Sequence, residues 1–167
     1  MQQPSTENKE WWCKHGAAQE ARFVFDIAPL YGMDIQMNPE KKDNKYVFDL
    51  LYNGEPADLK TVRTPFFTAW KYRLNPSKTV TLNIKDIVRY KKYENFTIVF
   101  WVNWQAQTKY GTTVDPIDGV WCYTMDDLRS LLPLPTHSYQ KRTNDTKGNA
   151  KDSVVIELRD DYAKIRT

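Results

Sequence analysis

The chain has 167 residues, of which 41% are hydrophobic and 27% are charged, the size and composition of one globular domain. Its formal net charge of +3 is too small to indicate nucleic-acid binding by itself, so any such argument depends on where the charges lie. Cys13 and Cys122 lie far apart with no CxxC pairing, which favours reduced thiols over a disulfide framework or a zinc site. No stretch is long and apolar enough for a membrane span, and the first ten residues lack the order of a signal peptide. We therefore expect a soluble, cytoplasmic protein with no membrane partner.

Hydrophobic periodicity and turn residues predict the elements of the first half of the chain. In chain order these are a helix over 9–28 that stops at Pro29, and strands over 33–37, 46–52 and 56–62. Asn53-Gly54 separates the last two strands, and this dipeptide between strand-like runs is the strongest short hairpin signal. The sequence therefore predicts an antiparallel hairpin with a two-residue loop.

The second half reads as strands alternating with short helices. The predicted elements are a strand over 79–82, a helix from Asn83 to about Tyr93, strands over 96–104, 119–124 and 154–159, and a helix that begins at Thr124. The run 96–104 is almost wholly apolar, which indicates a strand buried on both faces. Thr124 with Asp127 is a variant of the capping box. We expect loops over 105–118 and 136–152, because neither tract has apolar periodicity.

The hairpin brings two carboxylates together. If Asn53-Gly54 forms the loop, Tyr52 faces Glu55 and Asp49 faces Asp58 directly. Like charges at opposed positions repel unless something offsets them, and a divalent cation would do so.

Lys60 lies two residues from Asp58 and therefore projects from the same face of its strand. The expected neighbours on that face, Val47, Leu51 and Val62, are apolar, so the charges would interact strongly there. Such an arrangement is rarely kept for stability alone, which indicates a functional site.

Glu20 is the expected fourth member of this cluster. An apolar face runs along the predicted helix 9–28, formed by Ala17, Ala21, Phe23, Val24, Ile27 and Ala28. Glu20 falls within this apolar arc, whereas Gln19, Arg22 and Asp26 lie on the opposite side. A glutamate directed at the core needs a partner, and the metal site is the natural candidate.

These groups are the parts that phosphodiester hydrolysis requires. Carboxylate oxygens hold a hard cation, which polarises the phosphate and lowers the pKa of a bound water. In this interpretation Asp49 and Asp58 hold Mg²⁺, and Glu20 orients a water or an additional metal. Lys60 positions or deprotonates the nucleophilic water, or contacts the scissile phosphate, and the sequence leaves these roles open.

The motif resembles that of the PD-(D/E)XK nuclease superfamily, which includes restriction enzymes, Holliday-junction resolvases and phage recombination exonucleases. It reads FDLLYNGEPADLK here, and KHGAAQE upstream is similar to the Gly-x-x-x-Glu helix of some members through Gly16 and Glu20. The resemblance covers roughly residues 16–104. Phe48 replaces the proline usual before the first Asp, and the Gln-and-Tyr helix motif of the exonuclease branch is not evident, which argues against that branch.

The resemblance implies an α/β protein with a restriction-endonuclease-like αβββαβ core, in which helices flank a central mixed sheet. We expect a single domain over 1–167, with the core at about 9–104 and a C-terminal extension at about 105–167. The strands of this extension would lengthen the sheet or form a small subdomain.

The implied activity is Mg²⁺-dependent hydrolysis of DNA by an endonuclease in a phage, mobile-element, restriction or repair context. Mn²⁺ can substitute, and no organic cofactor is expected. A homodimer would suit the cleavage of both strands of a duplex. Two alternatives stay open, namely a catalytically inactive module of the same fold that binds DNA or protein, and an RNA nuclease.

Basic residues outside the cluster are candidates for binding the nucleic-acid backbone. Lys85, Arg89 and Lys92 repeat at helical spacing as one basic stripe, for which a plain solvated face is the alternative. The segment 63–73 mixes aromatic rings with bases that could grip a strand, and the rings alone could equally be core. The remaining candidates lie in this segment and in the tract 136–152: Arg63, Lys71, Arg73, Lys141 and Arg142.

Overall fold

The computed structural model describes residues 9–131, 133–137 and 152–167. Within them a five-stranded mixed sheet forms the centre of the molecule. Its strands, in spatial order, are β1 (Ile35–Met37), β2 (Leu50–Tyr52), β3 (Glu55–Val62), β5 (Thr97–Trp104) and β8 (Ile117–Thr124). β1, β2 and β3 form an antiparallel meander, β5 is parallel to β3, and β8 is antiparallel to β5. The described fold is thus α/β with a mixed central sheet.

The remaining described strands form two smaller sheets. β4 (Thr79–Asn83), β10 (Ser153–Glu157) and β9 (Thr136–His137) form a three-stranded antiparallel sheet in the order β4-β10-β9. The strands β6 (Gln107–Lys109) and β7 (Thr112–Val114) form a separate hairpin. The C-terminal third therefore both extends the central sheet, through β8, and builds a second sheet.

Three α-helices are present among the described residues: α1 (Lys9–Arg22), α2 (Ile84–Tyr90) and α3 (Met125–Ser130). α1 continues as a π-helical turn over Phe23–Ile27 and a 3₁₀ turn over Ala28–Tyr31. The chain thus remains helical past Pro29, because proline fits the first turn of a new helical segment. In the described part of the chain, no helix has the length and apolar character that a membrane crossing requires.

The central sheet is buried on both faces. One face packs against the π-helical turn that follows α1, in an apolar cluster that includes Phe23, Leu59 and Trp101. The opposite face packs against α2 and the second sheet, through a cluster that includes Tyr90, Phe100 and Ile156. Side chains alternate along a strand, so Leu59 faces the first cluster whereas Asp58 and Lys60 face α2.

Several predicted elements differ from the observed ones. β2 begins only at Leu50, because the residues before it form turns that hold the chain against the strand end. The predicted loop 105–118 contains the β6–β7 hairpin, which turns at Tyr110-Gly111 rather than at a recognisable Asn-Gly. The Thr124–Asp127 capping box is confirmed, and most of the predicted loop 136–152 lies outside the described residues.

Candidate active site

The hairpin between β2 and β3 positions the two aspartates. Asn53 and Gly54 both adopt positive φ, of 50° and 80°, as a two-residue type I′ turn requires. Tyr52 pairs with Glu55, so the predicted register is confirmed. Continued by one residue on each strand beyond the Leu50–Ala57 pair, this register places Asp49 opposite Asp58.

A hydrogen bond joins these two aspartates directly. The backbone N–H of Asp49 donates to Oδ1 of Asp58 over 2.8 Å. The Asp58 side chain is only 2% exposed. Burial raises the pKa of the Asp58 carboxyl, and the negative charge of Asp49 raises it further, against a smaller opposite effect of Lys60. The Asp49 carboxylate is therefore close enough to influence the ionisation of Asp58.

Lys41 holds Glu20 and Asp49 together. Its Nζ lies 2.9 Å and 3.0 Å from Oε1 and Oε2 of Glu20, and it also donates to Oδ1 of Asp49. The side chain of Glu20 is 12% exposed, which agrees with its predicted inward direction. Burial lowers the pKa of Lys41, but Asp49 and Glu20 outweigh burial and raise the pKa overall, so the ammonium stays charged.

A short 3₁₀ turn over Pro39–Lys42 places this lysine. Asn38 precedes the turn, and its Oδ1 accepts a hydrogen bond from the backbone N–H of Glu40. Asn38 also donates from Nδ2 to the carbonyl of Phe48 and from its backbone N–H to the carbonyl of Asp49. Because one residue caps the turn and bonds the strand entrance, Lys41 is fixed over Asp49.

Helix α2 supplies partners for Asp58 and Lys60. Arg89 Nη2 lies 2.9 Å from Oδ2 of Asp58, and Lys60 Nζ lies 2.7 Å from Oδ2 of Asp86. Arg89 also approaches Asp86 at 3.6 Å, one helical turn away. Burial lowers the pKa of Arg89, yet the nearby Asp58 carboxylate and the other acidic groups leave it raised. Each carboxylate of the site thus has a basic side chain beside it.

Tyr90 lies beneath these two cations. Lys60 Nζ and the Arg89 guanidinium lie 5.7 Å and 5.4 Å from the centre of its ring, within the range of cation–π attraction. Its hydroxyl is buried near the Asp58 carboxylate and the Arg89 guanidinium, but no hydrogen bond of normal geometry joins it to the described residues. Burial, followed by the charges of Asp58 and Asp86, raises the pKa of this hydroxyl.

The arrangement bears directly on the expected metal. In the conformation described for residues 9–131, 133–137 and 152–167, no group of three or more His, Cys, Asp or Glu side chains is placed to hold an ion. Glu20 and Asp49 nevertheless converge on one cationic atom, Lys41 Nζ. The donor set therefore fits a cation, and the cation that it contacts here is an ammonium.

The predicted nucleic-acid contacts are placed in different ways. Arg89 turns inward to Asp58, so the predicted stripe is reduced to Lys85 and Lys92, which are exposed. Arg63 is half-buried with its guanidinium 4.0 Å from the centre of the Trp101 ring. Lys71 and Arg73 are exposed, and Lys141 and Arg142 lie outside the described residues.

Sequence reasoning did not assign Lys41, Asp86 or Tyr90 to this site. The Asn38-Pro39 pair signals a capped turn at Lys41, but nothing local indicates which carboxylates the lysine reaches. Asp86 was recognisable only as a first-turn residue of a helix, and Tyr90 only as an aromatic residue near its end. Comparison of the chain with protein-family models, with curated proteins and with solved structures finds no match.

Proposed function

We propose that this protein is a Mg²⁺-dependent nuclease that hydrolyses phosphodiester bonds in DNA and acts as an endonuclease. One observation carries the proposal: Glu20 and Asp49 converge on a single cation beside the buried Asp58. Lys60, two residues along the same strand, faces the same side of the sheet. Mg²⁺ prefers oxygen ligands such as carboxylates, and Glu20, Asp49 and Asp58 supply three carboxylates.

The order of elements supports the same proposal. A helix, α1, precedes three antiparallel strands, then comes α2, and then β5 runs parallel to β3. This is the αβββαβ order of restriction-endonuclease-like cores, with β4 inserted before α2. The resemblance to PD-(D/E)XK nucleases is thus an analogy of fold, and the function depends on the site itself.

Each residue would have a separate task in hydrolysis. Asp49, Asp58 and Glu20 would hold the ion, which supplies Lewis-acid polarisation of the phosphate and a bound water of lowered pKa. Lys60 forms an ion pair with Asp86 over 2.7 Å. A charged Lys60 donates hydrogen bonds, so we assign it to the phosphate oxygens. Mn²⁺ would use the same oxygen ligands.

A second candidate is a catalytically inactive domain that binds nucleic acid or protein. The complete pairing of Asp58 with Arg89, and of Glu20 and Asp49 with Lys41, favours it, because these pairs neutralise the site without a metal. An RNA nuclease is a third, since the hydrolytic chemistry is the same.

The deciding experiment measures cleavage by purified protein. Supercoiled plasmid, single-stranded DNA and RNA are each incubated with Mg²⁺, Mn²⁺ or EDTA, beside the variants Asp58→Asn and Lys60→Met. The matched control is Asp161→Asn, which alters an exposed carboxylate near the C-terminus in the same conservative way. Circular dichroism checks that every variant is folded.

We expect metal-dependent cleavage of DNA that falls at least about 100-fold in both site variants and is unchanged in the control. Cleavage of RNA alone would replace DNA by RNA as the substrate. Binding without cleavage under any metal would favour the inactive module. If the protein neither cleaves nor binds nucleic acid, the nuclease proposal is overturned.

A further inference from the structure

A cleft of about 740 Å³ is lined by Lys60 and Glu20. Most of its other lining residues have no role in the proposed metal site. α1 forms one wall through residues that include Gln19 and Glu20. The segment 64–68 and the turn of the β6–β7 hairpin also line the cleft. The same cleft is therefore lined by Glu20 and Lys60 of the candidate active site and by the hairpin turn.

Three basic side chains line the cleft, together with the carboxylates of Glu20 and Asp86. Lys60, Arg63 and Lys109 all line it. The two carboxylates are paired, Asp86 with Lys60 and Glu20 with Lys41. Within the described residues neither Lys109 nor Arg63, whose guanidinium lies over the Trp101 ring, forms an ion pair. Two positive charges therefore remain for an anionic ligand such as a phosphodiester backbone.

Tyr110 at the hairpin turn provides a stacking surface. Its side chain is 76% exposed, although large aromatic side chains are usually buried. The residue has a φ of +52°, and the following Gly111 has a φ of +74°, so the two form a type I′ turn. Asn is the preferred first residue of such a turn, and a bulky residue there is strained. The strain suggests that the ring has a use outside the fold.

Neighbouring groups hold this ring at the edge of the cleft. Phe67, in the cleft wall, meets the Tyr110 ring edge-to-face with centroids 6.3 Å apart. Lys109 Nζ lies 5.1 Å from the centre of the same ring. An exposed ring next to a lysine combines the two elements with which proteins bind unpaired nucleotides, namely base stacking and backbone charge.

We propose that this cleft binds a single-stranded segment of nucleic acid, with one base stacked on Tyr110 and the backbone running past Lys109 and Arg63 toward Lys60. The proposal rests on the proposed function, because the bound strand is the one presented to Asp49 and Asp58. A duplex is excluded as the occupant, since its bases stack on one another and offer only their edges. DNA and RNA share the required chemistry.

The test measures binding apart from cleavage. Fluorescence anisotropy in EDTA gives the dissociation constants of the full chain for labelled oligo(dT), oligo(rU) and a DNA duplex. The key variant is Tyr110→Asn, which removes the ring and leaves the sequence Asn-Gly that a type I′ turn prefers. Its matched control is Tyr46→Asn, because Tyr46 is also exposed and also lies beside a lysine, Lys45, but does not line the cleft.

We expect the wild type to bind single strands more tightly than the duplex, and Tyr110→Asn to weaken single-strand binding about 5- to 150-fold. Tyr46→Asn should bind like the wild type. The relative affinities for oligo(dT) and oligo(rU) identify the sugar that is accepted. Wild-type affinity in Tyr110→Asn, or equal affinity for duplex and single strand, would overturn the proposal.

Failure of this proposal can be told apart from failure of the nuclease. If single-strand binding depends on Tyr110 but no metal-dependent cleavage occurs, the cleft proposal stands and the nuclease proposal is overturned. If the protein shows metal-dependent cleavage, and Tyr110→Asn changes neither the cleavage rate nor the affinity for single strands, the nuclease proposal stands and the cleft proposal is overturned. Absence of any nucleic-acid binding would remove both.

Discussion

The guanidinium of Arg89 lies 2.9 Å from Oδ2 of Asp58, joining a side chain that is 44% exposed to one that is almost fully buried. Breaking a buried ion pair from one side leaves the other charge without a partner, which costs more than the pair contributes. The sequence predicted Arg89 as part of a basic stripe that could contact the phosphate backbone, with a plain solvated helix face as the alternative. The structure instead makes it the nearest cation to the buried aspartate.

This contact predicts a strong coupling between the two residues. Arg89→Met should lower the free energy of unfolding by about 1–3 kcal/mol, a range reduced from that of fully buried pairs because Arg89 is partly exposed. In an Asp58→Asn background the same substitution should lower the free energy of unfolding by about 1 kcal/mol less, because no buried carboxylate then loses its ion-pair partner. Urea unfolding of the four proteins measures the coupling. Additive effects would show that the contact has no energetic role.

The raised pKa of Asp58 predicts a pH-dependent difference in stability. The folded state binds the Asp58 proton more tightly than the unfolded state, whose aspartate titrates at about 3.9. The unfolding free energy that Asp58 contributes is therefore greatest below that pH and falls as pH rises through the folded-state pKa. Asn cannot ionise, so the melting temperature of Asp58→Asn minus that of the wild type should become more positive from about pH 4 to about pH 7.

Thermal melts of both proteins in matched buffers measure this difference. Asp161→Asn is the control, because an exposed carboxylate should give a difference that hardly changes with pH. A difference for Asp58→Asn that is equally constant would contradict the raised pKa.

Lys41 predicts competition between the protein's own ammonium and a divalent metal. In Lys41→Met, Glu20 and Asp49 lose their shared cation, so the unfolding free energy without metal should fall by about 1–3 kcal/mol. The vacated carboxylates should then bind Mg²⁺ or Mn²⁺ more readily than in the wild type. Added metal should raise the melting temperature of Lys41→Met more than that of the wild type.

The control for this prediction is Lys42→Met, the exposed neighbour in the same 3₁₀ turn. It should respond to metal as the wild type does. Isothermal titration with Mn²⁺ provides the affinity directly. Equal metal stabilisation of the wild type and Lys41→Met would show that Lys41 does not stand in the place of the ion.

Cys122 is predicted to be chemically inert in the folded protein. Burial raises the pKa of its thiol to about 12, against a smaller opposite effect of Lys164, so almost no thiolate is present near neutral pH. The Cys13→Ser variant leaves Cys122 as the only thiol of the chain. Alkylation by iodoacetamide at about pH 8 should be much slower in the native than in the urea-unfolded variant. Equal rates would contradict the burial of this thiol.

The sequence by itself determined the parts of the fold that depend on neighbouring residues. The Asn53-Gly54 turn fixed the hairpin register, and with it the opposition of Asp49 and Asp58, because a two-residue loop permits only one pairing. Strand alternation then assigned Lys60 to the face of Asp58. Thr124 and Asp127 marked a helix start for the same reason, since both partners of the capping box lie within one turn.

Only the tertiary structure decided which charges meet. Lys41 reaches Glu20 across 21 positions, and Arg89 reaches Asp58 across 31. The assignment of β4 to a second sheet likewise depends on β10, far along the chain. Such contacts form between segments that tertiary packing brings together, and they depend on burial and charge pairing. No pattern among neighbouring residues in the sequence indicates them. Local stereochemistry therefore determined the register of the hairpin, whereas long-range packing decided which cation each carboxylate holds.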